Sequence, residues 1–98
     1  MTQKPGTVKR EVIGGSWVLY ILRCGDGSLY TGITNNLAHR FAEHQKGRAS
    51  RYTRGRGPLQ IVYGKACRGR SEALKMELAV KALSRTEKEA LIGSEKLN

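Results

Sequence analysis

From Trp17 to Leu22 every side chain is apolar or aromatic, and Tyr20 brings the only hydroxyl. An unbroken run of this kind predicts a strand covered on both faces. Gly25-Asp26-Gly27-Ser28 follows, a tetrapeptide of turn residues that returns the chain antiparallel. Leu29 to Thr34 then alternates, with Leu29, Thr31 and Ile33 against Tyr30, Gly32 and Thr34. Tyr30 and Gly32 therefore share one face of a second strand. Glycine weakens a strand interior, so close approach of a backbone or a ligand is expected at Gly32.

Beyond the hairpin the period changes. Asn36 can cap a helix in which Leu37, Arg40, Phe41 and His44 recur at i, i+3, i+4 and i+7. Packing alone does not call for Arg40 and His44 on that stripe. Gly47 to Gly57 has no period and reads as a loop closed by Pro58. Leu59 to Ala66 predicts a third strand, with Ile61 and Tyr63 on one face and Val62 and Gly64 on the other. Ser71 can cap a second helix, with Glu72 in its first turn. There Leu74, Leu78 and Lys81 form a stripe with Glu77 inside it. Thr86 to Glu89 reads as a capping box for a short third helix, which runs to Ile92 and ends at Gly93. The order β-β-α-β-α-α predicts an α+β fold, a three-stranded antiparallel sheet flanked by helices. Residues 1–15 read as a mobile tail, 16–93 as one domain and 94–98 as a C-terminal tail.

Composition narrows the classes. Ninety-eight residues suit one domain. No stretch reaches the roughly 20 apolar residues of a membrane span, and the N-terminus lacks the apolar core of a secretory signal. Cys24 and Cys67 share no metal-binding spacing and fit buried, reduced thiols in a cytoplasm. A cytoplasmic monomer is expected, without membrane association and without a small-molecule cofactor.

Charge changes the picture most. Eighteen Lys plus Arg against eight Asp plus Glu leave +10. Lys46, Arg48, Arg51, Arg54, Arg56, Lys65, Arg68 and Arg70 fall in one segment without a single acid. A single-sign block of this kind is the footprint of a polyanion partner. It carries no amphipathic helical stripe to enter a lipid surface, so nucleic acid is favoured. Arg48, Arg51, Arg54 and Arg56 form a phosphate-tracking arm with Tyr52 available to stack on a base, and Lys65, Arg68 and Arg70 extend it.

The ordered set of these residues resembles the GIY-YIG nuclease family. Val18-Leu19-Tyr20 stands at its first motif and Tyr30-Thr31-Gly32 at its second. Arg40 follows eight residues after Gly32, with His44 one turn on, and Glu77 stands at the later metal-binding glutamate. The segment from Lys46 to Tyr63 is similar to the small stand-alone bacterial YhbQ-type branch. The chain departs from the pattern in reading VLY for GIY and YTG for YIG. It also lacks the asparagine that many members carry a dozen or so residues after the glutamate.

The resemblance implies a metal-dependent endonuclease acting on DNA, with DNA repair as a setting, and the lack of an evident recognition helix in so small a domain predicts selection by structure (branched or single-stranded) over sequence. Glu77 would hold one Mg²⁺ or Mn²⁺ ion through oxygen. Arg40 would fork onto a phosphate oxygen. Tyr20, Tyr30 and His44 are the proton-handling candidates, with Tyr20 the choice for base and the other two orienting water and phosphate. The residues alone leave open which tyrosine acts. Two alternatives stand beside this reading, a nucleic-acid-binding module of the same fold with little or no cleavage and a basic protein that binds RNA or the ribosome. A zinc site is not indicated, since His39 and His44 are five apart with no nearby cysteine.

Overall fold

The computed structural model describes residues 17–96, with side chains through Ser94. The tail expected over residues 1–15 lies outside the described residues. Strands β1 (Trp17–Arg23), β2 (Leu29–Thr34) and β3 (Gln60–Cys67) form one antiparallel sheet in the order β2-β1-β3. Helices α1 (Leu37–Gln45), α2 (Arg70–Lys81) and α3 (Arg85–Lys96) complete an α+β fold in the expected order.

Because β1 is the central strand, both of its faces are covered, as its unbroken apolar run requires. Leu19 and Ile21 are buried on one face with Tyr63, Cys67, Ala73, Val80 and Ile92, the core beneath α2 and α3. Val18, Tyr20 and Leu22 are buried on the other, against Tyr30, Leu37, Phe41 and Leu59. Burying each large aliphatic side chain stabilises by about 1.5–3 kcal/mol. At its far end β1 is tied to α3, where Arg23 donates to both carboxylate oxygens of Glu89 at 2.8 and 2.9 Å.

Local details differ from the sequence reading in five places. The register between β1 and β3 shifts so that Ile21 faces Tyr63 while Leu22 faces Ile61, leaving Val62 as the extra residue of a bulge. Ile61 and Tyr63 therefore lie on opposite faces rather than one. The second helix is capped from Gly69, not Ser71, and no side chain bonds its first turn. Glu72 instead accepts from the Arg68 backbone N–H at 2.6 Å. On α2 the buried residues are Ala73 and Val80, with Met76 packed beside them, while Leu78 is 71% exposed. The stripe thus runs beside Leu74, Leu78 and Lys81 rather than through them. The capping box of α3 is Ser84 to Glu87, not Thr86 to Glu89. There the Ser84 N–H donates to Glu87 at 2.8 Å and the Glu87 N–H donates to the Ser84 hydroxyl at 3.1 Å. Finally, Gly93 does not stop the helix, which continues to Lys96.

Candidate active site

The site grows from the turn that pairs Tyr20 on β1 with Gly32 on β2. A Cβ on Gly32 would stand 2.7 Å from the Tyr20 hydroxyl and 3.1 Å from the Tyr30 ring. Glycine in the strand therefore makes room for two tyrosines of the same chain. Asn36 starts α1 by accepting from the His39 N–H at 3.1 Å, and two turns later the helix delivers His44 into the interior. His39 itself is exposed.

His44 Nε2 meets the Tyr20 hydroxyl at 2.8 Å, and its Nδ1 meets the Thr53 hydroxyl at 2.8 Å. The Thr53 hydroxyl also donates to the Ser50 carbonyl, at 3.4 Å. A hydroxyl that gives its hydrogen to Ser50 must accept from Nδ1–H, which leaves Nε2 to accept from Tyr20. Tyr20, His44 and Thr53 are all buried, so the three form a satisfied polar chain inside an apolar layer.

Electrostatics sharpen the roles. Burial, with Tyr30 beside it, drives the Tyr20 phenol well above its ordinary pKa of 10, although Arg40 pulls it down and Glu77 pushes it up. Burial, aided by the positive charge of Arg40, lowers His44 from its ordinary 6.5. At neutral pH the pair is therefore a protonated phenol donating to the acceptor nitrogen of a neutral imidazole. Exposed Arg40 completes the cluster from α1.

An aromatic ladder leads outward. Tyr30 stands edge-on to His44 at 5.1 Å and tilts over Tyr52 at 5.8 Å, and the Arg56 guanidinium lies 4.5 Å above the Tyr52 ring. Tyr52 is 41% exposed, so part of its side chain reaches solvent. The loop that carries it is docked on the hairpin turn. The Gly25 N–H donates to the Arg56 carbonyl at 2.6 Å, and Arg56 pairs with Asp26 at 2.5 Å. Ser28 first and Arg56 second hold the Asp26 carboxyl down at about 2. A Cβ at Gly25 would run into the Gly57 carbonyl, so this docking needs glycine.

The basic residues divide into two groups. Arg48, Arg51, Arg54 and Arg56 lie on the loop that carries Tyr52, with Arg48 paired to Glu43 at 3.2 Å and only Arg56 shown against the Tyr52 ring. Arg68 and Arg70 instead follow the end of β3 that pairs with Trp17, far along β1 from the docked loop. There Arg68 pairs with Glu72 and Arg70 lies 5.8 Å over Trp17. Lys65 pairs across to Leu19, on the face away from Tyr20. The two groups thus lie toward opposite ends of β1 among the described residues.

Glu77 comes from α2, its side chain 18% exposed and paired with Lys81 at 3.2 Å. No group of three or more His, Cys, Asp or Glu stands together among the described residues. The donor set fits a hard ion such as Mg²⁺, which takes one or two carboxylates and keeps its waters, and does not fit zinc. Thr53 is the one member that sequence reasoning missed. Its only signal was one of three hydroxyl side chains, with Ser50 and Tyr52, inside an arginine-rich loop.

This constellation on this sheet defines a class. The chain belongs to the GIY-YIG family, whose catalytic domain matches residues 16–90. Among its relatives are UPF0213 protein DP2720 of Desulfotalea psychrophila, 52% identical over 79% of this chain and 71% of the relative, and UPF0213 protein OB0043 of Oceanobacillus iheyensis, 53% identical over 76% and 86%. The solution NMR structure of UPF0213 protein BH0048 from Bacillus halodurans is similar at a TM-score of 0.53 and 44% identity, covering 80% of this chain and 83% of that one. The match is thus to small bacterial GIY-YIG proteins. No helix among the described residues is long and apolar enough to cross a membrane.

Proposed function

We propose that this chain is a divalent-metal-dependent endonuclease that hydrolyses DNA phosphodiesters and selects by the shape of the nucleic acid rather than its sequence. The observation that carries the reading is the 2.8 Å bond from the Tyr20 hydroxyl to neutral His44. A phenol whose pKa is raised by burial is a poor base alone, but it can relay a proton. As Tyr20 oxygen takes the proton of the attacking water, its own hydrogen passes to His44 Nε2, and the new hydroxide attacks phosphorus. Thr53 keeps the imidazole in the tautomer that can receive this proton. Arg40 bonds a non-bridging oxygen as negative charge develops, and the leaving oxygen departs on the far side of phosphorus. Glu77 would hold Mg²⁺ or Mn²⁺, which would supply neutralisation of phosphate charge. The loop arginines track the backbone, and Tyr52 offers a stacking face.

One observation favours the alternative of a binding module: Lys81 already occupies the Glu77 carboxylate. A single i, i+4 pair whose lysine is half exposed is worth on the order of a few tenths of a kcal/mol to 1 kcal/mol, and a divalent ion can displace it. The test is a panel of labelled substrates (duplex, single strand, flap, fork and RNA) with and without Mg²⁺. Metal-dependent cleavage of a DNA member is expected. Tight binding without cleavage on the whole panel would replace the enzyme with the binding module.

A further inference from the structure

Against His44 and Thr53 lies a cavity of about 420 Å³, set between the end of α1 and the loop over residues 47–59. Tyr20, Tyr30 and Arg40 do not line it, so the proton relay leaves it unused. Its volume lies in the range of small-ligand pockets, roughly 300–1,000 Å³. Two cations, Lys46 and Arg54, stand on its wall and no acid does. Neither forms an ion pair among the described residues, although Arg48 and Arg56 on the same loop both do. The Arg54 side chain is held in place by its Nε–H, which donates to the Gly47 carbonyl at 3.1 Å. Pro58 and Leu59 give the opposite character, an apolar surface. Gly55, at φ +76°, has open space where a Cβ would stand, so backbone can approach a ligand there.

We infer that this cavity is a nucleotide subsite, in which Lys46 and Arg54 hold a phosphate and Pro58 and Leu59 carry the ring of a base. Two cations outside any ion pair among the described residues, beside an apolar wall, match a molecule with an anionic end and a flat, weakly polar end. The cavity shares His44 with the proposed reaction centre, so its occupant lies beside that centre. The choice of a nucleotide over other phosphate compounds rests on the nuclease reading. The cavity and its charge do not.

The experiment is an NMR titration of the full chain with deoxyadenosine monophosphate, with deoxyadenosine and with inorganic phosphate as separate probes. The monophosphate should give saturable shifts at Thr53, Gly55 and Leu59, and either fragment should bind at least about tenfold more weakly. Arg54→Ala should weaken the monophosphate by about tenfold to a hundredfold, the range for a charge-assisted contact. Since Arg54 also braces the loop, Lys46→Ala serves as the second variant and should weaken it in the same direction. Shifts confined to the Arg68–Arg70 end, or no saturation, would overturn the subsite. Equal affinity for inorganic phosphate would overturn its assignment to a nucleotide. Saturable binding in a protein that cuts nothing would keep the subsite and remove the nuclease reading. Cleavage without any shift at Thr53, Gly55 and Leu59 would remove the subsite alone.

Discussion

The two faces of β1 use alternate residues of one strand for opposite purposes. On the α2–α3 face Leu19 and Ile21 meet apolar partners from three elements, and the layer is held by burial. On the α1 face Tyr20 sits between Val18 and Leu22, equally buried, yet it ends in a hydroxyl bonded to His44. An apolar neighbourhood makes that polar pair costly unless every atom is satisfied, and Thr53 satisfies the last one. The same low-dielectric surroundings shift both pKa values away from the charged forms. The difference teaches that the α1 face is built as a core first, with a polar chain inserted at Tyr20, opposite Gly32.

One large expected effect falls on activity and not on stability, at a carboxylate that α2 supplies. Glu77→Ala should remove metal-dependent cleavage by on the order of 10² to 10³ in rate while leaving DNA affinity intact or raised, since a carboxylate facing phosphate is repulsive. A rate assay with a parallel binding assay checks this. Unchanged cleavage would remove Glu77 from the site.

Leu19→Ala should lower unfolding free energy by about 2–5 kcal/mol, measured in denaturant, with cleavage per folded molecule near wild type. A specific loss of rate in the folded variant would mean the two faces are not separable.

Gly32→Ala joins the faces' two properties. The added methyl must displace the Tyr20 ring tip, so a loss of about 1–3 kcal/mol should accompany a broken Tyr20–His44 contact. A stable, active variant would show that the glycine is not there for the tyrosines.

The smallest effect is in pH. His44 has a folded pKa below its ordinary 6.5, so its contribution to stability is complete above 6.5 and declines as pH falls. Melting temperatures between pH 5 and 8 should show this decline in the wild type and not in His44→Gln. Below about pH 4 both proteins should lose a further contribution. Asp26 and Glu89 are held at about 2 by their hydrogen-bonding partners and must protonate there.

Much of the α1 face was legible in the sequence. Tyr30 and Gly32 share a face by strand period, and His44 follows Phe41 on the helix stripe, while the grouping of these with Tyr20 as one site was what the family resemblance implied. Thr53 could not be read, because a loop has no period and its bond to His44 depends on how Gly25 and Gly57 let the loop dock. The bulge at Val62 was hidden for a related reason: an extra residue in one strand leaves hydrophobic alternation intact on paper. On α2 the small residue Ala73 takes the buried position that hydrophobicity would assign to Leu78. Close approach to the sheet favours the smaller side chain. Ser84 went unread as a cap since Thr86 offers the same motif two residues on, and only the backbone geometry chooses between them.

The most direct measurement is single-turnover cleavage by Tyr20→Phe with saturating DNA and Mg²⁺. The substitution keeps the ring packed against Val18 and Leu22 and deletes only the hydroxyl that meets His44. The rate should fall by about 10² to 10⁴ with DNA affinity unchanged. A folded Tyr20→Phe protein that cuts at the wild-type rate would contradict the proton relay.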